Sequence, residues 1–200
     1  MRKIDPRHRQ ARREQIIAAA LTCFARRGFH LTRTAEICAE AGMSPGNLFH
    51  YFDSKDAIIE AIVEEDQRET AEMFSHACAE ADLYAALLRI VDHGIEMVAE
   101  PAYTRIGVEV IAEALRSPKV AACVARNEAA RKAALVQLLE AGAARGQMTL
   151  GAPAEATADW ILLLLDGAFG RALVEPAFRP QHYRTMLHSA LSNLVGGRSA

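Results

Sequence analysis

The side chains best suited to molecular recognition lie close together in the first quarter of the chain. Between Ser44 and His50, the amide of Asn47 follows Gly46, and the His50 imidazole comes three positions later. An asparagine amide can pair bidentately with N6 and N7 of adenine, and a glycine lets the backbone approach a base edge or a thymine methyl group closely. These residue types therefore predict a surface that reads nucleic-acid bases.

Residue patterns typical of enzymes give no competing interpretation. The chain contains no HExxH, P-loop or GxGxxG motif, and its histidines are scattered singly. His182 and His188 are six positions apart, which is a poor helical spacing for sharing one metal ion. We therefore expect that the protein is not an enzyme and that it uses neither a cofactor nor a metal.

The surrounding stretch, Thr32–Lys55, has the pattern of a helix-turn-helix. Thr32 is predicted to cap the first helix by accepting a backbone N–H. Gly42 follows the last residue of that helix, where a positive φ is usually needed, and Ser44 is predicted to cap a second, very short helix. This pattern implies that the second helix presents its N-terminal end to a ligand.

In a helix-turn-helix the second helix enters the major groove with its N-terminal residues against base edges. Six residues of this helix are therefore predicted to contact DNA: Ser44, Pro45, Gly46, Asn47, Phe49 and His50. For Asn47 the alternative is a capping or water-facing amide, and Phe49 could divide between core packing and a thymine contact. Leu48 and Phe52 are predicted to be core residues that hold the helix in place.

The stretch also resembles a known family. The resemblance covers about residues 10–60 and rests on Gly28-Phe29, Thr32, Ile37, Ala41-Gly42-Met43-Ser44, Gly46, Leu48-Phe49, Tyr51-Phe52 and Ser54-Lys55. These residues resemble the DNA-binding domain of TetR-family transcriptional regulators. The resemblance implies that Thr32, Tyr51 and Lys55 contact phosphates. Arg33 stands where the family more often has a small hydroxyl residue, which suggests a further phosphate contact, and Pro45 is a departure that suggests apolar or absent base reading.

Composition and charge agree with a DNA-binding module joined to a different body. Residues 1–55 hold ten Lys and Arg against five Asp and Glu (+5), whereas residues 56–200 hold thirteen against twenty (−7). Only the first segment therefore suits a polyanion. The four cysteines form no CxxC pair and are interpreted as small buried hydrophobes, with redox sensing as the alternative. Neither a signal peptide nor a membrane span is evident, so we expect a cytoplasmic location and no membrane partner.

Alanine abundance, an aromatic content of only 6% and helical periodicity predict an all-α fold. The pattern gives about nine helices, three in the DNA-binding head and six in a C-terminal body. We place the DNA-binding domain at residues 1–55 and the effector-binding and dimerisation domain at residues 56–200. Residues 1–12 are predicted to form a mobile basic arm. Predicted helix bounds outside the motif are about 12–27, 55–79, 82–100, 101–116, 117–145, 153–173 and 181–195.

The body is expected to bind a small-molecule effector and a second copy of the chain, as the resemblance implies. Candidate effector contacts are polar or sulfur side chains on otherwise apolar helical faces: His93, Met97, Tyr103, Arg105, Glu109 and Asp166. The run Trp160–Leu165 is apolar all round, which one buried helix face does not explain. Candidate dimer residues on the predicted eighth and ninth helices are Trp160, Leu163, Leu164, Phe169, Leu187 and Leu191.

The function that follows is a DNA-binding transcriptional regulator, in this family usually a repressor. It would bind a palindromic operator as a homodimer, because two-fold symmetric proteins read palindromic sites. The effector would release it from the operator. The alternative is an effector-independent DNA-binding protein of architectural or division-control type. A small molecule that releases the protein from DNA would separate these two functions.

Overall fold

The computed structural model describes residues 6–44 and 46–196. Within these residues it contains eight α-helices, one short 3-10 helix and no strand, which confirms the predicted all-α class. The α-helices are α1 (Pro6–Arg27), α2 (Thr34–Glu40), α3 (Lys55–Cys78), α4 (Leu83–Ala99), α5 (Pro101–Ala114), α6 (Pro118–Ala144), α7 (Ala154–Val174) and α8 (Pro180–Val195). The 3-10 helix spans Leu48–His50.

Local chemistry accounts for three of the helix ends. The Asp82 carboxylate accepts the backbone N–H of Ala85 at 2.9 Å and so caps α4. The Ser54 hydroxyl accepts the N–H of Ala57 at 3.1 Å and caps α3. At the other end of α1, Gly28 has a φ of +77°, a conformation that side-chain-bearing residues rarely adopt.

Helix α1 begins earlier than predicted. It starts at Pro6 rather than near residue 12, so the part of the predicted arm from residue 6 onward is helical. A proline is well tolerated at the first position of a helix, and the arginines and glutamine that follow are good helix formers. Residues 1–5 lie outside the described residues.

The predicted recognition helix is only one short turn. His50 N–H donates to the Asn47 carbonyl at 3.2 Å, and Tyr51 N–H donates to the Leu48 carbonyl at 2.9 Å, which is the 3-10 pattern. Glycine and asparagine are poor helix formers, so Gly46 and Asn47 give the segment little tendency to extend as an α-helix. Residues 6–44 and 46–196 therefore contain one α-helix fewer than the approximate count of nine.

The described chain divides into two compact units. The first, here called the head unit, comprises the described part of Met1–Glu65 together with Arg105–Ala125, and the second, the body unit, comprises Asp66–Thr104 with the described part of Arg126–Ala200. Helices α3, α5 and α6 contribute residues to both. The predicted domain boundary after residue 55 stays a prediction. The head unit also includes residues 56–65 and parts of α5 and α6.

Each unit has its own apolar core. In the head unit the largest fully buried side chains come from α1, α2, the 3-10 helix and α3: Ile16, Phe24, Ile37, Leu48, Ile58 and Ile59. In the body unit the largest fully buried side chains come from α4 and α6: Leu83, Leu87, Ile95, Leu135, Leu138 and Leu139. Throughout the described ranges, every helix is too short or too polar to cross a membrane, and no three His, Cys, Asp or Glu side chains are grouped to hold a metal ion.

Candidate nucleic-acid interface and effector cavity

Helix α1 contacts the chain just before the recognition segment, Ser44–Tyr51, and at the last residue of that segment. The Gln15 amide donates to the Ala41 carbonyl at 2.7 Å, just before the turn. Arg13 donates to the Tyr51 carbonyl at 2.8 Å, and its guanidinium carbon lies 4.3 Å from the centroid of the Phe52 ring. Arginine stacked on an aromatic ring and hydrogen-bonded to a carbonyl has little freedom, so the segment is held firmly against α1.

The predicted base-reading side chains are exposed on this segment. Ser44, Gly46, Asn47 and His50 are all exposed, while Leu48 is fully buried as predicted. Phe49 is 54% exposed, so most of its ring faces solvent rather than the core. A Cβ atom added at Gly46 would meet no atom within 4 Å, which leaves open space for a base edge beside the backbone. The prediction for Pro45 lies outside the described residues.

Two of the predicted phosphate contacts have internal roles in this structure. Thr32 is only 1% exposed, and its hydroxyl donates to the Gly28 carbonyl at 2.8 Å. The Lys55 ammonium donates to the carbonyls of Phe29 at 2.6 Å and Thr32 at 3.0 Å. The Thr32 hydroxyl is therefore unavailable to a phosphate in this arrangement, and Thr32 does not cap α2, since Arg33 takes that position.

Lys55 also packs against an aromatic ring. Its ammonium lies 4.2 Å from the centroid of the Phe29 ring, and burial lowers the pKa of Lys55 from its ordinary value. These contacts hold the loop Gly28–Arg33, which leads into α2. Arg33 is exposed and Tyr51 is half-buried, and phosphate contacts by Arg33, Tyr51 and Lys55 stay predictions.

Two other features of the head unit offer no alternative site. Gly42–Gly46 has the GxSxG pattern of a nucleophile elbow, but that motif requires a preceding strand and here α2 precedes it. A groove of about 410 Å³ runs between α1 and α2. Its charged side chains are already paired, Arg26 with Glu40 and Arg27 with Glu36. Neither feature has the groups that a catalytic or effector site needs.

The body unit contains a cavity of about 160 Å³ with a mainly apolar wall. Its lining residues are Asp66, Glu69, Thr70, Met73, Phe74, Ile90, His93, Gly94, Met97, Tyr103, Arg131, Leu135, Ile161, Leu162 and Leu165. Three of the six predicted effector residues, His93, Met97 and Tyr103, lie here. Burial, followed by the charge of Asp66, raises the pKa of the Tyr103 hydroxyl, which keeps it a neutral donor.

The other three predicted effector residues lie elsewhere. Arg105 donates to the Ala25 carbonyl at 3.3 Å, and Glu109 accepts the Phe29 N–H at 2.7 Å, so both belong to the head unit. Asp166 is 64% exposed and pairs with Arg131 at 3.4 Å instead of lining the cavity. Arg105 and Glu109 are therefore wrong as cavity residues, since their polar groups bind backbone atoms of the head unit.

Sequence reasoning missed the charged part of the cavity wall. Asp66 and Glu69 lie on α3, and Arg131 lies on α6. Asp66, Glu69 and Met73 have the i, i+3, i+7 spacing of one helix face. That spacing was the available signal, but carboxylates on a charged helix are usually solvated and give no indication of a cavity.

The predicted dimer residues divide between core and surface. Trp160 and Leu163 are 56% and 57% exposed on α7, and Leu164 and Phe169 are half-buried against the body core. Leu187 and Leu191 are 9% and 1% exposed inside that core, so they are unavailable to a second chain. The exposed apolar stripe of α7 consists of Trp160, Leu163, Gly167, Gly170 and Val174.

Comparisons with known proteins agree with this geometry. Residues 16–62 match the family model described as bacterial regulatory proteins, tetR family. Residues 79–196 match the model described as BetI-type transcriptional repressor, C-terminal. The chain is 30% identical to the HTH-type transcriptional regulator UidR of Escherichia coli strain K12 over 80% of each chain.

Solved structures show the same similarity. Salmonella enterica GusR is 28% identical, with a TM-score of 0.76 over 98% of this chain and 100% of that chain. A transcriptional regulator from Saccharomonospora viridis, solved in complex with choline, is 20% identical and has a TM-score of 0.78 over 93% and 98% of the two chains. At 20% identity, the likeness to the Saccharomonospora viridis regulator shows a shared fold and no more.

Proposed function

Because the chain belongs to the TetR family of DNA-binding transcriptional regulators, we propose that it is a repressor that binds a palindromic operator as a homodimer and dissociates when a small molecule enters the body cavity. The same membership confirms the expectation that the protein is not an enzyme. The observation that carries the proposal is the exposed Asn47 amide on a segment whose last residue, Tyr51, is bound by Arg13 of α1. The match to a repressor model over residues 79–196 supports the direction of regulation.

The recognition segment is suited to the major groove. Asn47 would read adenine through a bidentate amide pair, and Gly46 would allow the backbone to approach the neighbouring base. Phe49 offers an apolar ring for a thymine methyl group. Arg33, Tyr51 and Lys55 would contact phosphates, and Ser44, Pro45 and His50 are the remaining predicted DNA contacts of the segment.

The homodimer would form through α7, which corresponds to the predicted eighth helix, with α8 beside it. Val174 on α7 and Met186 on α8 are each 70% exposed, which adds apolar area to the stripe. Added Cβ atoms at Gly167 and Gly170 would meet nothing within 4 Å, so the stripe has room for a second helix to approach closely. Large exposed apolar side chains around small residues favour packing against another copy over exposure to water.

The effector would occupy the body cavity. A mainly apolar wall that also carries polar groups suits a molecule with an apolar part and a hydrogen-bonding group; these polar residues are Asp66, Glu69, Thr70, His93, Tyr103 and Arg131. A volume of about 160 Å³ is below the 300–1,000 Å³ usual for drug-sized ligands, so we expect a smaller molecule or a cavity that widens on binding. The choline complex of the Saccharomonospora viridis regulator supports a small ligand in a protein of this fold.

The experiment that tests the proposal begins with selection of bound fragments from random DNA. Asn47→Ala should weaken binding to the selected operator by about 1–3 kcal/mol, measured by fluorescence anisotropy, while leaving binding to unrelated DNA unchanged. Equal losses on both DNAs would contradict base reading by Asn47. Screening small molecules for release of the operator then separates the effector-responsive repressor from the effector-independent alternative, which predicts that none releases it.

A further inference from the structure

Helix α5 presents three polar side chains to the end of α1 and to the loop Gly28–Arg33. Arg105, Glu109 and Glu113 are spaced four residues apart, so they follow one face of the helix. All three belong to the head unit. They lie far from the helix-turn-helix in sequence, and no residue of α5 belongs to the motif.

The contacts of these side chains form a continuous row. Arg105 donates to the carbonyl of Ala25 in the last turns of α1. Glu109 accepts the Phe29 N–H at 2.7 Å. The Glu113 carboxylate, which is only 6% exposed, lies 3.3 Å from the imidazole Nε2 of His30.

Both polar groups of the Phe29 backbone are thereby bound. Glu109 binds its N–H, while Lys55 binds its carbonyl at 2.6 Å. A Cβ atom added at Gly28 would lie 2.8 Å from the Glu109 carboxylate, so the carboxylate approaches the backbone as closely as a glycine allows. A hydrogen bond to an ionised carboxylate is stronger than one between neutral groups.

We propose that Glu109 is a positioning residue for DNA binding. It fixes the loop Gly28–Arg33 and, through that loop, the start of α2 and the exposed Arg33 side chain. The inference rests on the proposed function, since it assigns Glu109 a part in operator binding. It differs from a contribution to folding alone, because the loop could remain attached through Lys55 while losing its alignment.

Three substitutions of carboxylates in the head unit test the proposal. Glu109→Ala removes the acceptor, whereas Glu109→Gln removes the same charge but keeps an oxygen for the Phe29 N–H. Glu64→Ala, at an exposed position of α3, is the matched control for the loss of one negative charge. Losing a carboxylate by itself favours binding to a polyanion, so electrostatics alone predicts tighter DNA binding for all three.

We expect Glu109→Ala to lower the ratio of operator to unrelated-DNA affinity roughly tenfold, in proportion to one lost charge-assisted hydrogen bond. Glu109→Gln should restore most of this ratio, and Glu64→Ala should leave it unchanged. In the free protein, Glu109→Ala should speed hydrogen exchange at the Phe29 amide, measured by NMR. That readout needs no DNA, so it tests the contact even if the wild-type protein selects no operator and the proposed function fails.

Two results would overturn the proposal. One is an unchanged affinity ratio and an unchanged Phe29 exchange rate in Glu109→Ala. The other is an equal loss on both DNAs with a lowered unfolding temperature, which would assign Glu109 a role in folding only.

Discussion

Replacing Lys55 with methionine tests how the loop before the helix-turn-helix is held. The ammonium makes two well-formed hydrogen bonds, at 2.6 Å to the Phe29 carbonyl and 3.0 Å to the Thr32 carbonyl. A third, to the His30 carbonyl at 3.5 Å, is too long to contribute much. Methionine keeps an apolar chain against the Phe29 ring but provides no donor.

The expected cost follows from these contacts. A hydrogen bond to a charged group contributes about 1.5–3 kcal/mol when desolvated. Lys55 is only half-buried, so water screens both hydrogen bonds and weakens their contribution. We therefore assign the two bonds together a stabilisation of about 2 kcal/mol. The cation–π contact with Phe29 adds about 0.5–1 kcal/mol, which the methionine partly replaces. We therefore expect Lys55→Met to lower the free energy of unfolding by about 2 kcal/mol.

Urea unfolding followed by circular dichroism measures this change. With a slope of about 1–3 kcal/mol per molar urea, the midpoint should fall by roughly 1 M. Lys132→Met is a matched control, because Lys132 pairs with Asp159 at a surface where the two side chains are 37% and 59% exposed. Such a pair contributes about 0–1 kcal/mol. A midpoint for Lys55→Met no lower than that of the control would refute the internal role of Lys55.

Salt dependence then decides whether Lys55 also contacts a phosphate. Removing one phosphate contact reduces the slope of log K against log salt by about 0.9, whereas misplacing the loop lowers affinity and leaves the slope unchanged. An unchanged slope would restrict Lys55 to positioning. A reduced slope would add the phosphate contact that the family resemblance implies.

Three further predictions follow from glycine geometry, the apolar stripe and thiol burial. Gly28→Ala should lower the free energy of unfolding by at least about 1 kcal/mol in urea titrations, since φ is +77° and the added Cβ meets a carboxylate, and an unchanged midpoint would contradict the strain. Leu163→Glu should give monomers by light scattering, whereas Leu115→Glu, at an 85% exposed site in the head unit, should leave dimers intact, and dimers in both would exclude the α7 stripe. Burial raises the pKa of the Cys38 thiol, so little of it is present as the reactive thiolate at pH 8. Maleimide should therefore label the half-buried Cys78 before Cys38, as measured by mass spectrometry, and faster labelling of Cys38 would contradict its burial.

Helix boundaries were predictable where the signal is local. Asp82 caps α4, and Gly28 and Gly146 end α1 and α6 with positive φ, as their residue types indicate. The predicted start of α1 was wrong, because a basic, proline-containing segment is as typical of a solvated arm as of a first helical turn. The face taken by Leu31 was not predictable, because loop side chains follow no helical period; its side chain is 70% exposed.

The recognition segment was predictable as a motif, but the contacts that hold it were not. Arg13 and Tyr51 are 38 positions apart, and Glu109 and Phe29 are 80 positions apart. Spacing relates residues within one element, whereas these bonds depend on how elements pack. Thr32 illustrates the difference, because its hydroxyl has the right type for a cap or a phosphate but is buried against the end of α1.

Helix periodicity explains why the predicted effector residues separated. Tyr103 and Arg105 are two positions apart on α5, and residues at that spacing point about 200° apart around a helix, so they cannot line one cavity. Arg105 and Glu109, four apart, share a face and both bind the head unit. The sequence therefore could have divided these candidates into two groups. Only the packing of α5 could show that Tyr103 reaches a cavity, whereas Arg105 and Glu109 bind the end of α1 and the loop that leads into α2.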